Sequence, residues 1–187
     1  MKDIPEHIFT RAAGGDKDAF RELYTITSGF VYGTALRVTR NTQDAEEVTQ
    51  DVFMKVHRKL KRFEVGTSFK AWIYRITFNT SLNTCKKRQR ETVKIEGVKH
   101  EVDVPTEPPV GTAGLDRIYY RKKLDDLLAL INVDQRACIL LREIEGLDYK
   151  EIARVLKINI NTVRTRLKRA RERLMHHARK EVSSYEM

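Results

Sequence analysis

Apolar residues recur at helical intervals in three stretches of the first half of the chain. Side chains three or four positions apart share one face of a helix, so each stretch predicts a helix with one buried face. The sequence therefore predicts an all-α fold. The apolar positions are Ala19, Phe20, Leu23, Tyr24, Phe30, Val31 and Leu36, then Val48, Val52, Phe53, Val56 and Leu60, then Phe69, Trp72, Ile73, Ile76 and Phe78.

Short polar residues stand where these helices are expected to begin. A pair of glycines is predicted to end a first helix, and Asp16, which follows them, to cap the second. Asn41 is predicted to cap a long helix of about residues 43–60, and Ser68 to cap the helix after it.

The helix predicted at residues 43–60 begins acidic and ends basic. The helix dipole favours acids in the first turn and cations in the last, so part of this order has a purely structural explanation. The alternative is that the acids and Gln50 form a docking face for a basic helical partner. The acids are Asp44, Glu46, Glu47 and Asp51, and the cations are Lys55, Arg58, Lys59, Lys61 and Arg62.

The composition changes at about residue 92. Residues 92–116 contain three of the four prolines and three glycines, with five acids against two lysines. The parts on either side are basic, with net charges of about +6 for residues 1–91 and +7 for residues 117–187. Such an acidic, proline-containing segment is typical of a flexible linker. The sequence thus predicts two small helical domains, at residues 1–91 and 117–187, joined by this linker.

The second predicted domain begins with two short helices. The apolar positions of the first are Leu124, Leu127, Leu128 and Ile131. Asp134 is predicted to cap the next helix and Gly146 to end it, with Ile139, Leu140 and Ile144 in its core.

Residues 147–174 then predict two helices joined by a tight turn. In the first of them Ala153 is small where two helices must approach closely, and the residues at Lys157–Asn159 form the turn. This pattern is typical of a helix-turn-helix. The position of Lys157 often holds glycine in such turns, because a left-handed conformation costs other residues about 1 kcal/mol.

The second helix of this pair has one apolar and one polar side. At 100° per residue, Val163, Leu167, Ala170 and Leu174 form a stripe that predicts burial. The opposite side carries Asn161, Thr165, Lys168 and Glu172, flanked by Arg164 and Arg169. Arginine can pair with guanine edges, and Asn or Thr can reach bases or phosphates, so this side predicts DNA binding. The alternative is an ordinary surface helix pair with a solvated basic face.

The overall charge also favours a polyanionic partner. The net charge is +10 and the isoelectric point is near 9.7. A membrane surface is the other candidate, but no apolar run approaches the roughly 20 residues needed to span a bilayer. No apolar stretch follows the first six residues, so a signal peptide is not predicted and we expect a cytoplasmic protein.

The sequence shows no constellation for catalysis or for a metal. Cys85 and Cys138 have no metal-ligand spacing, and two cysteines fit a reducing compartment. Cys138 lies in an apolar run and is predicted to be a core residue. Glycine-rich phosphate loops and HExxH motifs are absent from the sequence. We therefore expect no enzymatic activity and no cofactor.

Four ordered segments carry a resemblance to a known family. They are DAEEVTQDVF at residues 44–53, SFKAWIYRI at residues 68–76 followed by Asn79, and GLDYKEIA at residues 146–153 followed by NTVRTRL at residues 161–167. In this order they resemble the extracytoplasmic-function sigma factors, the small two-domain initiation factors of bacterial RNA polymerase. The resemblance covers residues 41–90 and 117–175 and leaves out the linker.

The resemblance implies three partners: core RNA polymerase, promoter DNA and an anti-sigma factor. The helix with Asp44, Glu47, Gln50 and Phe53 would dock on the polymerase clamp helices. The loop of residues 63–69 would capture a flipped base of the −10 element, and the linker would run toward the RNA exit path. The residues implied for the −10 element are Phe63, Ser68, Phe69, Trp72, Asn79, Asn83, Lys86 and Arg88, and those for the −35 element are Asn161, Arg164, Thr165, Lys168 and Arg169.

Two other functions remain open from the sequence. A stand-alone helix-turn-helix regulator would leave the acidic start of the helix at residues 43–60 and the loop of residues 63–69 without a role. A nucleic-acid enzyme such as a nuclease would need clustered acids for a metal ion. The densest acids lie at a helix start, where capping explains them.

Overall fold

A computed structural model describes residues 4–63, 68–94 and 122–185 of the chain. Every regular element in these ranges is helical, so the predicted all-α fold is confirmed. The chain divides into two compact units, Met1–Asp103 (unit 1) and Val104–Met187 (unit 2). The linker predicted at residues 92–116 lies almost wholly outside the described residues.

Unit 1 is a bundle of helices wrapped around one apolar core. Its elements are α1 (Glu6–Ala13), α2 (Lys17–Thr39), α3 (Thr42–Lys59), a 3₁₀ turn (Leu60–Arg62) and α4 (Phe69–Lys94). Helices α2, α3 and α4 pack on one another, and α1 packs against α2. The core is aliphatic for the most part, with Leu23, Val31, Val48, Val52, Val56 and Ile73 each fully buried.

The helix starts of unit 1 follow the capping residues predicted from the sequence. The Asp16 carboxylate accepts hydrogen bonds from the amides of Asp18 and Ala19, at 2.9 and 3.0 Å. The Asn41 side-chain oxygen accepts from the Asp44 amide at 2.9 Å. The Ser68 hydroxyl accepts from the Ala71 amide at 3.3 Å. Because each bond satisfies an amide that has no partner within its helix, all three cap predictions are confirmed.

Unit 2 consists of short helices followed by one long helix. Its elements are α5 (residues 122–129), α6 (Val133–Ile139), a π-helical turn (Leu140–Ile144), α7 (Tyr149–Leu156) and α8 (Ile160–Tyr185). Its core is built from Leu128, Ile131, Cys138, Leu141, Ile152, Val163 and Leu167, each at most 2 % exposed. The predicted burial of Cys138 is therefore confirmed.

Two sequence predictions about α6 and its continuation were wrong. Asn132, not Asp134, caps α6: its side chain accepts from the Gln135 amide at 2.9 Å, and the Gln135 side chain accepts from the Asn132 amide. Asp134 already lies inside the first turn. Ile144, predicted to be core, is 44 % exposed. The π-helical turn places more residues in each turn than an α-helix does, so the face expected from α-helical spacing is lost there.

The turn between α7 and α8 has the backbone geometry of a helix-turn-helix. Lys157 ends α7 in the left-handed region, at φ 54° and ψ 47°. Its amide bonds to the carbonyl of Ala153, and the Ile158 amide bonds to the same oxygen at 3.1 Å. The Asn159 side chain then accepts from the Asn161 amide at 2.8 Å, which caps α8.

Candidate nucleic-acid interface

Helix α8 buries one side and exposes the other. Val163, Leu167 and Ala170 are at most 1 % exposed and Leu174 is partly buried, so the first three members of the predicted apolar stripe are confirmed as core. The residues predicted to bind the −35 element are all exposed. They are Asn161, Arg164, Thr165, Lys168 and Arg169. Their contact with DNA remains a prediction.

Two cations of α8 are directed toward unit 2 itself. Arg166 pairs with Asp134 at 3.1 Å, and both side chains are largely buried. Arg171 pairs with Glu143 at 2.9 Å and donates to the Tyr149 hydroxyl at 3.4 Å. The hydrogen bond to Glu143 raises the pKa of Arg171 above its usual range. These two cations therefore hold α8 against its own unit, a role that charge density alone did not reveal.

The contacts of the outward residues are local and exposed. Arg164 donates to the Asn161 side-chain oxygen at 3.0 Å, and the Thr165 hydroxyl donates to the Asn161 carbonyl at 2.9 Å. Lys168 lies 3.8 Å from Glu172, with side chains 77 % and 61 % exposed. Exposed pairs of this kind stabilise by well under 1 kcal/mol. A DNA phosphate or base edge can therefore replace them at low cost.

Helix α7 adds basic residues that sequence analysis did not select. Lys150, Arg154 and Lys157 are exposed and lie at positions i, i+4 and i+7, so they share one side of the helix end. Their spacing was the available signal. The helix start beside them is held by a reciprocal cap between Asp148 and Glu151. The bond from the Glu151 amide lowers the pKa of Asp148, so this cap persists to a lower pH than an ordinary aspartate would allow.

An aromatic cluster forms around Phe63 and Phe69, the first and last residues of the loop of residues 63–69. Phe63 lies 5.2 Å from Trp72 and 5.7 Å from Phe69, measured between ring centroids. Phe9 from α1 completes the cluster, at 4.4 Å from Phe69. Phe9 was missed because its place in the cluster depends on how α1 packs. Residues 64–67 lie outside the described part of the chain.

The members of the −10 set differ in exposure. Ser68, Asn83 and Lys86 are exposed, and Phe63, Trp72 and Asn79 are partly buried. Asn79 donates to the Arg75 carbonyl at 2.7 Å. Phe69 is only 6 % exposed, because its ring lies in the core of unit 1. This buried position does not support the expectation that Phe69 contacts DNA directly.

The residues predicted to bind polymerase also differ in exposure. Glu47 and Gln50 are exposed on α3. Phe53 is 6 % exposed and packs against Tyr24 at 4.5 Å, so direct docking through Phe53 is not supported by its buried position. Asp44 is paired with Arg88 of α4 at 2.7 Å. One turn after Gln50, Met54 is 52 % exposed, an apolar surface residue that sequence analysis had not selected.

The described residues show neither a metal site nor a membrane-spanning helix. Within the described ranges, no group of three or more His, Cys, Asp or Glu side chains is arranged to hold a metal ion. In the same part of the chain, none of the helices has the length and apolar character that a bilayer crossing requires.

Comparisons with known proteins match both units. Residues 23–91 match sigma-70 region 2, and residues 121–174 match sigma-70 region 4. The chain is 35 % identical over 179 residues to the ECF RNA polymerase sigma factor SigE of Mycolicibacterium smegmatis, covering 91 % of this chain and 67 % of that protein. It is 30 % identical over 175 residues to the RNA polymerase sigma-H factor of Pseudomonas aeruginosa, covering 89 % and 90 %.

A solved structure agrees with these sequence relatives. The sigma factor RpoE from Bartonella quintana, crystallised with the anti-sigma factor NepR, superposes with a TM-score of 0.65 at 28 % identity. The match covers 84 % of this chain and 94 % of that one.

Proposed function

Since the chain belongs to the extracytoplasmic-function sigma factors, we propose that it binds core RNA polymerase and brings it to promoters through two DNA contacts. Unit 2 reads the −35 element as duplex DNA, and unit 1 holds the melted −10 strand. The observation that carries this proposal is the exposed basic side of α8, which stands opposite a fully buried stripe on the same helix.

The chemistry of α8 suits readout in the major groove. That groove admits one helix, and its base edges present distinct patterns of donors and acceptors. Arg164 and Arg169 carry planar guanidinium groups that match the two acceptors of guanine, while Lys168 offers a point charge. The basic side of α7, formed by Lys150, Arg154 and Lys157, suits the flanking phosphates, which fix the orientation of the reading helix.

Unit 1 provides the surface for a single strand. Aromatic rings attract unstacked bases, and each stacked base contributes roughly 1–3 kcal/mol. Phe9, Phe63 and Trp72 are partly exposed, and the buried Phe69 supports them from the core side. Asn83 and Lys86 continue this surface along α4. Extruding a base costs a few kcal/mol, and these contacts offset that cost without nucleotide hydrolysis.

Polymerase docking is assigned to the exposed side of α3. Glu47 and Gln50 present polar groups there, and Met54 adds an apolar contact one turn later. An apolar centre with polar groups around it is the usual composition of a protein interface.

We further propose control by an anti-sigma factor. Support comes from the solved relative in complex with the anti-sigma factor NepR, to which this chain is 28 % identical. Binding of such a protein would keep the sigma factor from polymerase in the cytoplasm, where bacterial transcription takes place.

The first experiment is run-off transcription with purified core polymerase, with and without the chain, on a pool of promoter fragments. Initiation at discrete starts that depends on the chain would support the proposal, and aligning those starts would reveal both promoter elements. If the polymerase does not initiate with the chain present, but the chain alone shifts the electrophoretic mobility of duplex DNA, a stand-alone regulator would be favoured.

Charge reversal on α3 sharpens this test. Glu47→Arg with Gln50→Arg is expected to reduce chain-dependent initiation at least about tenfold, since like charges would face a basic partner. Glu22→Arg with Thr25→Arg on α2 is the matched control, because it adds the same positive charge and both residues are exposed and lie outside the assigned surfaces. Equal loss in both proteins would contradict docking through α3.

A further inference from the structure

We infer that the ion pair between Asp44 and Arg88 couples polymerase docking to capture of the DNA strand. The inference rests on the proposed function, because it joins a residue of the polymerase-docking helix to a residue assigned to the −10 element. Arg88 is bound to an internal carboxylate in the free protein, and a DNA phosphate must compete with that carboxylate for the guanidinium.

The geometry of the pair is that of a strong charge-assisted bond. Arg88 Nη1 lies 2.7 Å from Asp44 Oδ2, a separation typical of guanidinium–carboxylate hydrogen bonds. The two residues are 44 positions apart, and the bond connects the first turn of α3 to the distal part of α4. The ion pair therefore adds a charged contact between two functional helices that also pack on each other.

The Asp44–Arg88 pair is less exposed to solvent than the Asp51–Lys55 pair of α3, so salt screens it less. The side chains of Asp44 and Arg88 are 14 % and 29 % exposed. By contrast, Asp51 and Lys55 lie 3.8 Å apart with side chains 47 % and 42 % exposed. Salt screens an exposed pair well and a partly buried pair much less. The carboxylate of Asp44 is thus a lasting competitor for the cation of Arg88.

Competition for Arg88 links the two partners of unit 1. A basic polymerase surface that attracts Asp44 would weaken its bond to Arg88 and leave that guanidinium for DNA. Linkage is reciprocal, so DNA bound at Arg88 would equally favour a cation at Asp44. Unit 1 would therefore bind the strand weakly alone and more tightly when docked, which confines strand capture to the polymerase complex.

The test measures binding of a short fluorescein-labelled single strand by fluorescence anisotropy. The probe is the non-template −10 strand of a promoter mapped by run-off transcription. The free chain with Asp44→Asn, which removes the charge at nearly constant shape, is expected to bind the probe roughly fivefold or more tightly than wild type. Combining Asp44→Asn with Arg88→Gln should abolish this gain relative to Arg88→Gln alone.

Glu46→Gln is the matched control for net charge. Glu46 is exposed and lies about 200° around the helix from Asp44, so its loss removes one negative charge without touching the pair. Equal gains for Asp44→Asn and Glu46→Gln would reduce the effect to net charge and overturn the inference. No gain for Asp44→Asn, or a gain that persists with Arg88→Gln, would also overturn it.

A second measurement covers the case in which Asp44→Asn does not fold. Core polymerase should raise the affinity of the wild-type chain for the probe by a larger factor than it does for Arg88→Gln. An unchanged factor would overturn the inference. The wild-type complex with polymerase distinguishes failure of the proposed function from failure of the coupling. If this complex neither binds the probe nor initiates transcription, the proposed function is contradicted. If it does both and Arg88→Gln changes nothing, only the coupling is contradicted.

Discussion

At the scale of single residues, two residues other than glycine have a left-handed backbone conformation, which usually favours glycine. Arg40 has φ 56° at the end of α2, and Lys157 has φ 54° at the end of α7. Each allows its amide to bond back to the carbonyl four residues earlier, which closes the helix end. In both places the chain accepts backbone strain to make a sharp turn.

We predict that Lys157→Gly stabilises unit 2 by up to about 1 kcal/mol, because glycine adopts the left-handed region freely. Native-state hydrogen exchange of the amides in α7 and α8 would measure this free energy. Arg154→Gly, at an exposed position inside α7, is the control and should lower it by about 1 kcal/mol. Destabilisation by both changes would show that the turn gains nothing from glycine.

The two cysteines should differ in reactivity. Cys138 is fully buried, and burial raises the pKa of its thiol to about 11, whereas Cys85 is partly exposed. Only the thiolate attacks an alkylating reagent, and Cys138 remains protonated at pH 8. Iodoacetamide at pH 8 should therefore label Cys85 first, as followed by mass spectrometry, and Cys138 only after denaturation. Labelling of both at equal rates in the native protein would contradict this.

At the scale of elements, α8 combines two kinds of arginine in one helix. Arg166 and Arg171 pair with acids of unit 2, whereas Arg164 and Arg169 are exposed on the side away from the core. Helical phase alone does not make this division, because Arg164 and Arg171 are seven residues apart and share one side of the helix; Arg171 is paired because Glu143 lies beside its position along α8. One basic run thus supplies both the attachment of the helix and its outer surface.

Alanine at Arg164 or Arg169 should weaken binding of the polymerase complex to duplex promoter DNA by about 1–3 kcal/mol if the residue reads a base. Arg171→Ala is the comparison, because it also removes a cation from α8, but one that is paired with Glu143. Its effect on DNA binding should be clearly smaller. Filter binding over a range of salt concentrations would measure all three, and equal losses would indicate that only net charge matters.

At the scale of the whole molecule, each unit has its own core and its own capped helices. Core residues of unit 1 lie on α1 to α4, and those of unit 2 lie on α5 to α8. A compact unit with a complete core can unfold as one cooperative step. The chain should therefore respond to a local change in one unit at a time.

We predict that Asn132→Ala lowers the stability of unit 2 by about 1 kcal/mol, because it removes the reciprocal cap of α6. Hydrogen exchange should become faster in the core of unit 2, at amides such as those of Leu141 and Ile152. Amides of α2 and α3 in unit 1 should keep their rates and provide the internal control. Faster exchange in both units would show that they unfold together.

The sequence by itself determined what depends on local spacing. It predicted the all-α class, the caps at Asp16, Asn41 and Ser68, and the phase of α8, because capping and helical periodicity are set by residues within one or two turns. For the same reason the ordered motifs sufficed to identify the family.

Only the tertiary structure decided what depends on contacts between distant residues. It placed Phe53 and Phe69 in the core, joined Asp44 to Arg88, and directed Arg166 to Asp134. The sequence pattern around an aromatic or charged residue is the same whether that residue faces a neighbouring helix or a partner molecule. Which of the two it faces is settled by how the helices pack, because packing decides which groups lose water and find an internal partner.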